Sequence, residues 1–312
     1  MENIVIVAKQ VAVLFVLMGA GIAARRMKIL GDAAIEGCAN LLMMLVTPCL
    51  IVDCFQRPFD PNMLGGLAVA FAIASLGHFA AIAMACAFVR HKDEDVRRPL
   101  ALAAVFSNAG FMGIPLEQAI LGDEGVFYGI VYVVVFNLFM WSWGLRTMDR
   151  TGGGRDGVIK MFVNPGTIGL SLGLPLFLFS MKLPFFVAAP VHHIANLNTP
   201  LAMIVVGYAL AGAKLGRVAK MPQAYLAMAI RLFGYPLLVI VAMYPFRNLL
   251  DGNMMLAMSI AAAAPVAAMV SMFSVKFHRD VETSVAVVSA STLLSIVTIP
   301  AVVAFAMALF GR

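Results

Sequence analysis

The sequence predicts an all-α integral membrane protein of ten transmembrane helices, arranged as a 5+5 inverted repeat with its fourth and ninth helices broken mid-membrane. Three observations predict it. Of the 312 residues, 62% are hydrophobic and only 12% charged, whereas ordinary soluble domains carry about 25% charged residues. The loop charges alternate. Sixteen lysines and arginines fall in odd-numbered loops (Arg25, Arg90, Arg146, Lys214 and Lys276 among them), and three, Arg57, Lys182 and Arg247, fall in even ones. The two halves also echo each other: Thr47-Pro48 recurs as Thr199-Pro200, 152 positions on, and Pro115 is matched by Pro265, 150 positions on. Two features at nearly one offset indicate an internal repeat. Five spans per copy is odd, so the second copy enters the membrane inverted, as in many secondary transporters.

The apolar runs lie at about 3–24, 34–55, 63–89, 98–121, 125–146, 158–180, 187–213, 222–246, 253–276 and 282–309, each long enough to cross a bilayer. By the positive-inside rule the odd loops are cytoplasmic and both termini extracytoplasmic, with a plasma membrane as the expected location. One missed span would reverse every later loop and scramble the pattern. The net charge of +6 is therefore loop charge and does not point to nucleic acid. The first run begins MENIVIVAKQ, without the basic n-region of a cleaved signal peptide, so it is expected to stay as a helix. Cys38, Cys49, Cys54 and Cys86 sit inside apolar runs with no CxxC pair and read as packing residues, not as disulfide or metal partners.

In the second span, Thr47-Pro48 either bends the helix or shapes a cavity wall, and Asp53 is expected to be solvated near the outer surface. The third span holds His78 near its centre. A histidine there either exchanges protons near neutral pH or stays neutral and hydrogen-bonded in the bundle. The fourth span, 98–121, contains FSNAGFMGIPL, Phe106–Leu116. Pro115 has no N–H and crowds the carbonyl four residues back, and Gly110 and Gly113 loosen the turn before it, so the helix is expected to break near its centre. Unpaired backbone groups at that depth must face protein or a wet cavity. Asn108 adds an amide that donates and accepts. Glu117 follows in the first turn of the second half-helix, where a carboxylate suits the dipole. The fifth span carries Asn137, with Trp141 and Trp143 as interfacial anchors.

The polar stretch Met148–Gly157, MDRTGGGRDG, reads as a flexible cytoplasmic linker between repeats 1–147 and 158–312. In the seventh span, adjacent His192 and His193 point different ways and make a poor metal pair. Asn196 and Asn198 either glue helices or line the substrate cavity opposite Asn108. Arg231, three turns inside the eighth span, reads first as a snorkelling side chain and second as a partner for an acid or a carboxylate substrate. The ninth span breaks at Pro265 in AAAAPVAAM. If the fourth and ninth spans cross, two half-helix N-termini meet near the bilayer centre. Their free N–H groups and dipoles favour an anion without any lysine.

FSNAGFMGIPLEQAILGDEG, together with AAAAPVAAMVSMFSVKF, resembles the auxin efflux carrier family, which includes bacterial malate and malonate permeases and the plant PIN exporters. The resemblance runs over nearly the whole chain. It implies a fold similar to the bile acid sodium symporters, with a scaffold of spans one, two, six and seven and a transport domain that holds the crossover. It also implies small organic anions as substrates: indole-3-acetate, malate, malonate or other carboxylates. By position it assigns Asn108 to substrate contact, Pro115 and Pro265 to the crossover, and Asn137 to a polar contact in the fifth span. The chain departs from the plant pattern in its short linker and in having His78 where an acidic–basic pair would stand.

The expected activity is secondary transport of a small organic anion by alternating access, with no enzyme activity, cofactor or metal. The expected partners are the anion and the lipid bilayer. Substrate contacts are expected from Asn108, Gly110, Gly113, Pro115, Asn137, Asn196, Asn198 and Pro265, and coupling from His78 or Arg231. Proton coupling, sodium coupling of the bile-acid type and a homodimer all stay open. A membrane enzyme would need a constellation such as HExxH or GxSxG, and neither occurs. A channel would more naturally show a ring of repeated polar residues from several subunits.

Overall fold

The computed structural model describes residues 2–149, 164–212, 216, 218 and 221–311, with side chains from residue 9 onward. Every regular element among the described residues is a helix. In chain order they are α1 (Glu2–Arg26), α2 (Asp32–Phe55), α3 (Pro61–Phe88) and α4 (Glu94–Val105). The 40-residue apolar stretch Ala109–Met148 turns at Gly122 and so divides into α5 (109–121) and α6 (123–148). Then come α7 (Pro165–Leu178), α8 (Phe185–Ala211), α9 (Pro222–Phe246), α10 (Gly252–Ala263), α11 (Met269–Lys276) and α12 (Val281–Phe310). Six helical stretches among the described residues are long and apolar enough to cross a membrane. The chain is thus a multi-pass helical membrane protein.

Helix starts are written locally. Asp60 caps α3 through the Asn62 N–H, Asp93 caps α4 through Asp95, Asp251 caps α10 through Met254 and Asp280 caps α12 through Thr283. Asn164 and Thr167 form a reciprocal capping box at α7, with Pro165 as the first helical residue. Each cap satisfies a donor that the first turn leaves unpaired and stabilises its helix by about 1 kcal/mol. Gly122 ends α5 at φ 65°, ψ −152°, a backbone region that glycine enters without steric cost.

α1 lies along the second half of α8, and α2 packs against α7 and α8. The α1–α8 approach is close enough that a Cβ on Gly21 would strike the Ile204 carbonyl, and one on Gly207 the Met18 carbonyl. Small residues let helix backbones meet in this way within lipid. α3, α4, α9, α10 and α12 pack among themselves and with the 109–148 stretch.

One of the two helix interruptions differs from expectation. The first lies at Phe106–Asn108 and not at Pro115, which is already inside helix. Phe106 is extended (φ −96°, ψ 117°), and Ser107 and Asn108, which follow it, have low helix propensity. The proline's missing donor is absorbed upstream by a π turn, Ala109–Gly113. There the N–H groups of Met112 and Gly113 both reach the Asn108 carbonyl, at 2.9 and 3.2 Å. The second interruption falls at Pro265: α10 stops at Ala263, Ala264 is extended (ψ 145°), and α11 starts at Met269. That is the restriction a proline places on the residue before it. Most of the expected linker, Met148–Gly157, lies outside the described residues.

Candidate functional site

The two interruptions meet. The Asn108 N–H donates to the Pro265 carbonyl at 2.6 Å, and the Ala267 N–H donates to the Phe106 carbonyl at 2.9 Å. Ser107 and Val266 thereby form an isolated antiparallel bridge. The Val266 N–H is satisfied from α12 by Ser291 Oγ at 3.1 Å. The interrupted backbone is therefore paired across the two breaks and not left open to lipid.

The four helix ends divide into two pairs. α4 and α10 end at the junction, so their C-terminal carbonyls converge. Between them lies Arg231, fully buried. Its Nη1 donates to the Val105 carbonyl at 2.6 Å, its Nη2 donates to the Ala262 carbonyl, and its guanidinium carbon stands 4.4 Å from the centre of the Tyr235 ring. A cation here offsets the negative ends of two helix dipoles. The snorkelling reading of Arg231 is thus overturned, because the side chain points to broken backbone and not to a membrane face. Nothing in the local pattern of α9 identifies that backbone as its partner.

α5 and α11 begin at the junction. In α11 the Val270 and Ser271 N–H groups already turn back onto the Ala267 and Ala268 carbonyls at 3.1 Å each, so the donors without a carbonyl in their own helix are those ahead of them and those of the first turn of α5, before Met112. They adjoin a cavity of about 100 Å³. Asn108, Gly110, Asn137, Ala268 and Thr47 contribute to its wall, and none of its lining residues is charged. The Asn108 side chain makes no hydrogen bond among the described residues and is free to orient a guest. Asn137 spends its Nδ2 on the Val133 carbonyl at 2.9 Å. Gly110 leaves open space, since a Cβ there would meet nothing within 4 Å. Thr47 donates to the Leu42 carbonyl at 2.9 Å across a π turn of α2, so the Thr47-Pro48 pair both deforms its helix and supplies cavity wall.

Other candidates lie elsewhere. Gly113 and Pro115 are buried in the helix behind the cavity, and Pro265 contributes its carbonyl to the bridge. Asn196 and Asn198 do not join Asn108. With Thr199, they line a separate polar cavity of about 50 Å³ that also includes Asp53, Gln118, Asp123 and His192. Asp53 accepts a hydrogen bond from His192 Nδ1 at 2.8 Å, so it is paired and not simply solvated.

His78 is fully buried in an aromatic box. It stacks on Phe139 with ring centres 5.1 Å apart and has Phe106, Tyr132 and Tyr235 around it. Its Nδ1 is 2.8 Å from the Ala74 carbonyl. A carbonyl only accepts, so this nitrogen carries the proton. Beside it runs a chain of hydroxyls: Ser107 Oγ donates to Tyr132 at 3.3 Å, and Tyr132 donates to Tyr235 at 3.0 Å. Trp141 and Trp143 pack against Phe273 and Phe106.

The family model described as membrane transport protein matches residues 6–303. The chain belongs to that family. This is the family of the auxin efflux carriers, to which the FSNAGFMGIPL segment already pointed. An uncharacterized transporter of Methanothermobacter thermautotrophicus is 28% identical over 205 residues, which cover 64% of this chain and 65% of that protein. The chain thus belongs by family to the membrane transport proteins, and the match spans just under two thirds of the Methanothermobacter relative's length.

Proposed function

We propose that this protein is a secondary carrier for a small organic anion, a mono- or dicarboxylate or an auxin-like acid, working by alternating access. The observation that carries the reading is the uncharged cavity bordered by the N-terminal ends of α5 and α11, with the free Asn108 amide in its wall. Helix N-termini attract anions through aligned N–H groups and dipoles. A broken-helix pair of this kind is where many carriers hold their substrate.

In this reading α4–α5 and α10–α11 are single spans crossing each other, and the chain is a ten-span inverted repeat of two five-helix halves, 1–147 and 158–312. α1, α2, α7 and α8 form a static frame. The remaining helices move against it and present the cavity to either side. The mutual packing of α1 with α8 and of α2 with α7 and α8 supports such a division. In a plasma membrane, inside negative, the potential favours anion export by about 2.3 kcal/mol per charge per 100 mV.

The test is flux in proteoliposomes. A panel of mono- and dicarboxylates, indole acetate included, is first screened by thermal shift and then by uptake. Saturable uptake with counterflow is the expected result. Non-saturating flux without counterflow would make the protein a channel, and silence across the panel would remove organic anions as its cargo.

A further inference from the structure

Glu117 takes no part in the anion cavity, yet it is fully buried and neither carboxyl oxygen has a hydrogen-bond partner among the described residues. It does not cap its helix, whose N-terminus shows no side-chain cap bond. The carboxyl lies flat against the backbone of Gly129 on α6, where any Cβ would collide with it. The packing makes room for the group without offering it a donor.

The surroundings supply no counter-charge. α10, packed along this stretch, has no ionisable side chain from Gly252 to Ala263, and α7 has none from Pro165 to Leu178. The other neighbouring helices carry Asp123, Glu124, Tyr128, Tyr132 and Arg146 on α6, His78 and Cys86 on α3, Asp32, Glu36, Cys38, Cys49, Asp53 and Cys54 on α2, Lys9, Arg25 and Arg26 on α1, and His192, His193 and Tyr208 on α8. None of these acts on Glu117 through a hydrogen bond or charge. An ionised carboxylate here would be a buried charge with nothing to balance it, which is far costlier than the neutral acid.

A polar cavity is near at hand, however. The next residue, Gln118, lines the polar cavity with Asp53, Asp123, His192 and Asn198. Inside that cavity the buried Asn198 Nδ2 and Gln118 Oε1 also lack partners among the described residues. Successive helix positions differ by about 100°, and α5 ends five residues on at the Gly122 bend. A rotation of α5 by one residue step, about 100°, therefore exchanges apolar packing for this cavity.

We infer that Glu117 is a proton-binding site through which pH acts on the transport cycle, loaded in this arrangement and emptied when α5 turns it toward the polar cavity. The inference rests on the carrier reading above. The step is a simple dissociation: the neutral carboxyl becomes a carboxylate, its proton passes to water in the cavity, and the reverse transfer reloads it.

Infrared spectroscopy of the purified full-length protein reads the site without transport. The expected signal at neutral pH is the C=O stretch of a protonated carboxylic acid free of hydrogen bonds, shifted in D2O and lost in Glu117→Gln. A wild-type protein with no such band, or a band that survives the substitution, overturns the inference. The wild-type spectrum needs no variant to fold. In proteoliposomes, wild-type counterflow is expected to vary with pH across the neutral range and Glu117→Gln counterflow to lose that variation. A variant with the wild-type pH profile, or a wild type with none, also overturns it. Should the wild type carry no anion at all, the carrier reading fails on its own and the infrared band still decides the proton site.

Discussion

Asn108 and Arg231 stand on opposite sides of the same junction and have opposite tasks. The Asn108 amide is free for a guest. Because a hydrogen bond to a charged group contributes about 1.5–3 kcal/mol, Asn108→Ala is expected to weaken anion binding roughly 10- to 100-fold while the protein still folds. Counterflow affinity measures the first effect and monodispersity on size exclusion the second. Arg231 holds protein to protein, so Arg231→Met is expected to lower the thermal midpoint, with about 1.5–3 kcal/mol at stake for each charged bond to the Val105 and Ala262 carbonyls. Arg231→Lys keeps the charge but not the two-pronged reach and should recover only part of that loss. Wild-type stability in Arg231→Met would refute the clamp. Asn108 could be singled out in the sequence because an amide next to a helix-breaking motif is costly in lipid unless used. Arg231 could be seen only as an arginine in the wrong place, since its partners are backbone carbonyls far away in the chain. Ser291, which satisfies the Val266 N–H, was missed because serines along α12 differ from one another only in what they face.

At the scale of elements, two prolines that look equivalent in the sequence do different work. Pro265 lies in the extended segment and lends its carbonyl to the bridge. Pro115 lies inside the helix, past a π turn. Pro265→Ala is thus expected to abolish most transport, because an alanine there allows α10 to run on and pull the bridge apart. Pro115→Ala is expected to cost far less, because its break is held by Ser107, Asn108 and the partner segment. Proteoliposome uptake of the two variants side by side checks this, and equal damage would place both breaks at their prolines after all. Gly122, at φ 65°, makes the bend between α5 and α6. Gly122→Ala should lower stability by about 1–3 kcal/mol, read as a drop in thermal midpoint. Breaks as such were legible because proline and glycine chemistry is local. Their positions were not, because a π turn shifts the cost of a missing donor by a turn, and a strand-like bridge exists only when its second half arrives from elsewhere.

At the scale of the whole molecule, the loop charges predict how the chain is ordered in the membrane, and this can be measured directly. A cysteine at Lys182 should react with an impermeant maleimide in intact cells, and one at Lys92 only after the membrane is opened, in a background where the four native cysteines are replaced. Reversed labelling would overturn the orientation and the inverted arrangement built on it. The sequence by itself determined that the chain is helical, crosses a membrane many times and has two weak points at matched positions, because hydropathy, loop charge and helix-breaking residues act through the solvent and the local backbone alone. Only the tertiary structure decided that the two weak points hydrogen-bond to each other, that Arg231 closes one side of the junction while a cavity opens on the other, that Asn196 and Asn198 line a different cavity, and that Glu117 has no partner among the described residues. Each of these depends on which helix faces which, and in a chain that is apolar all round, no stripe of hydrophobic residues records that choice.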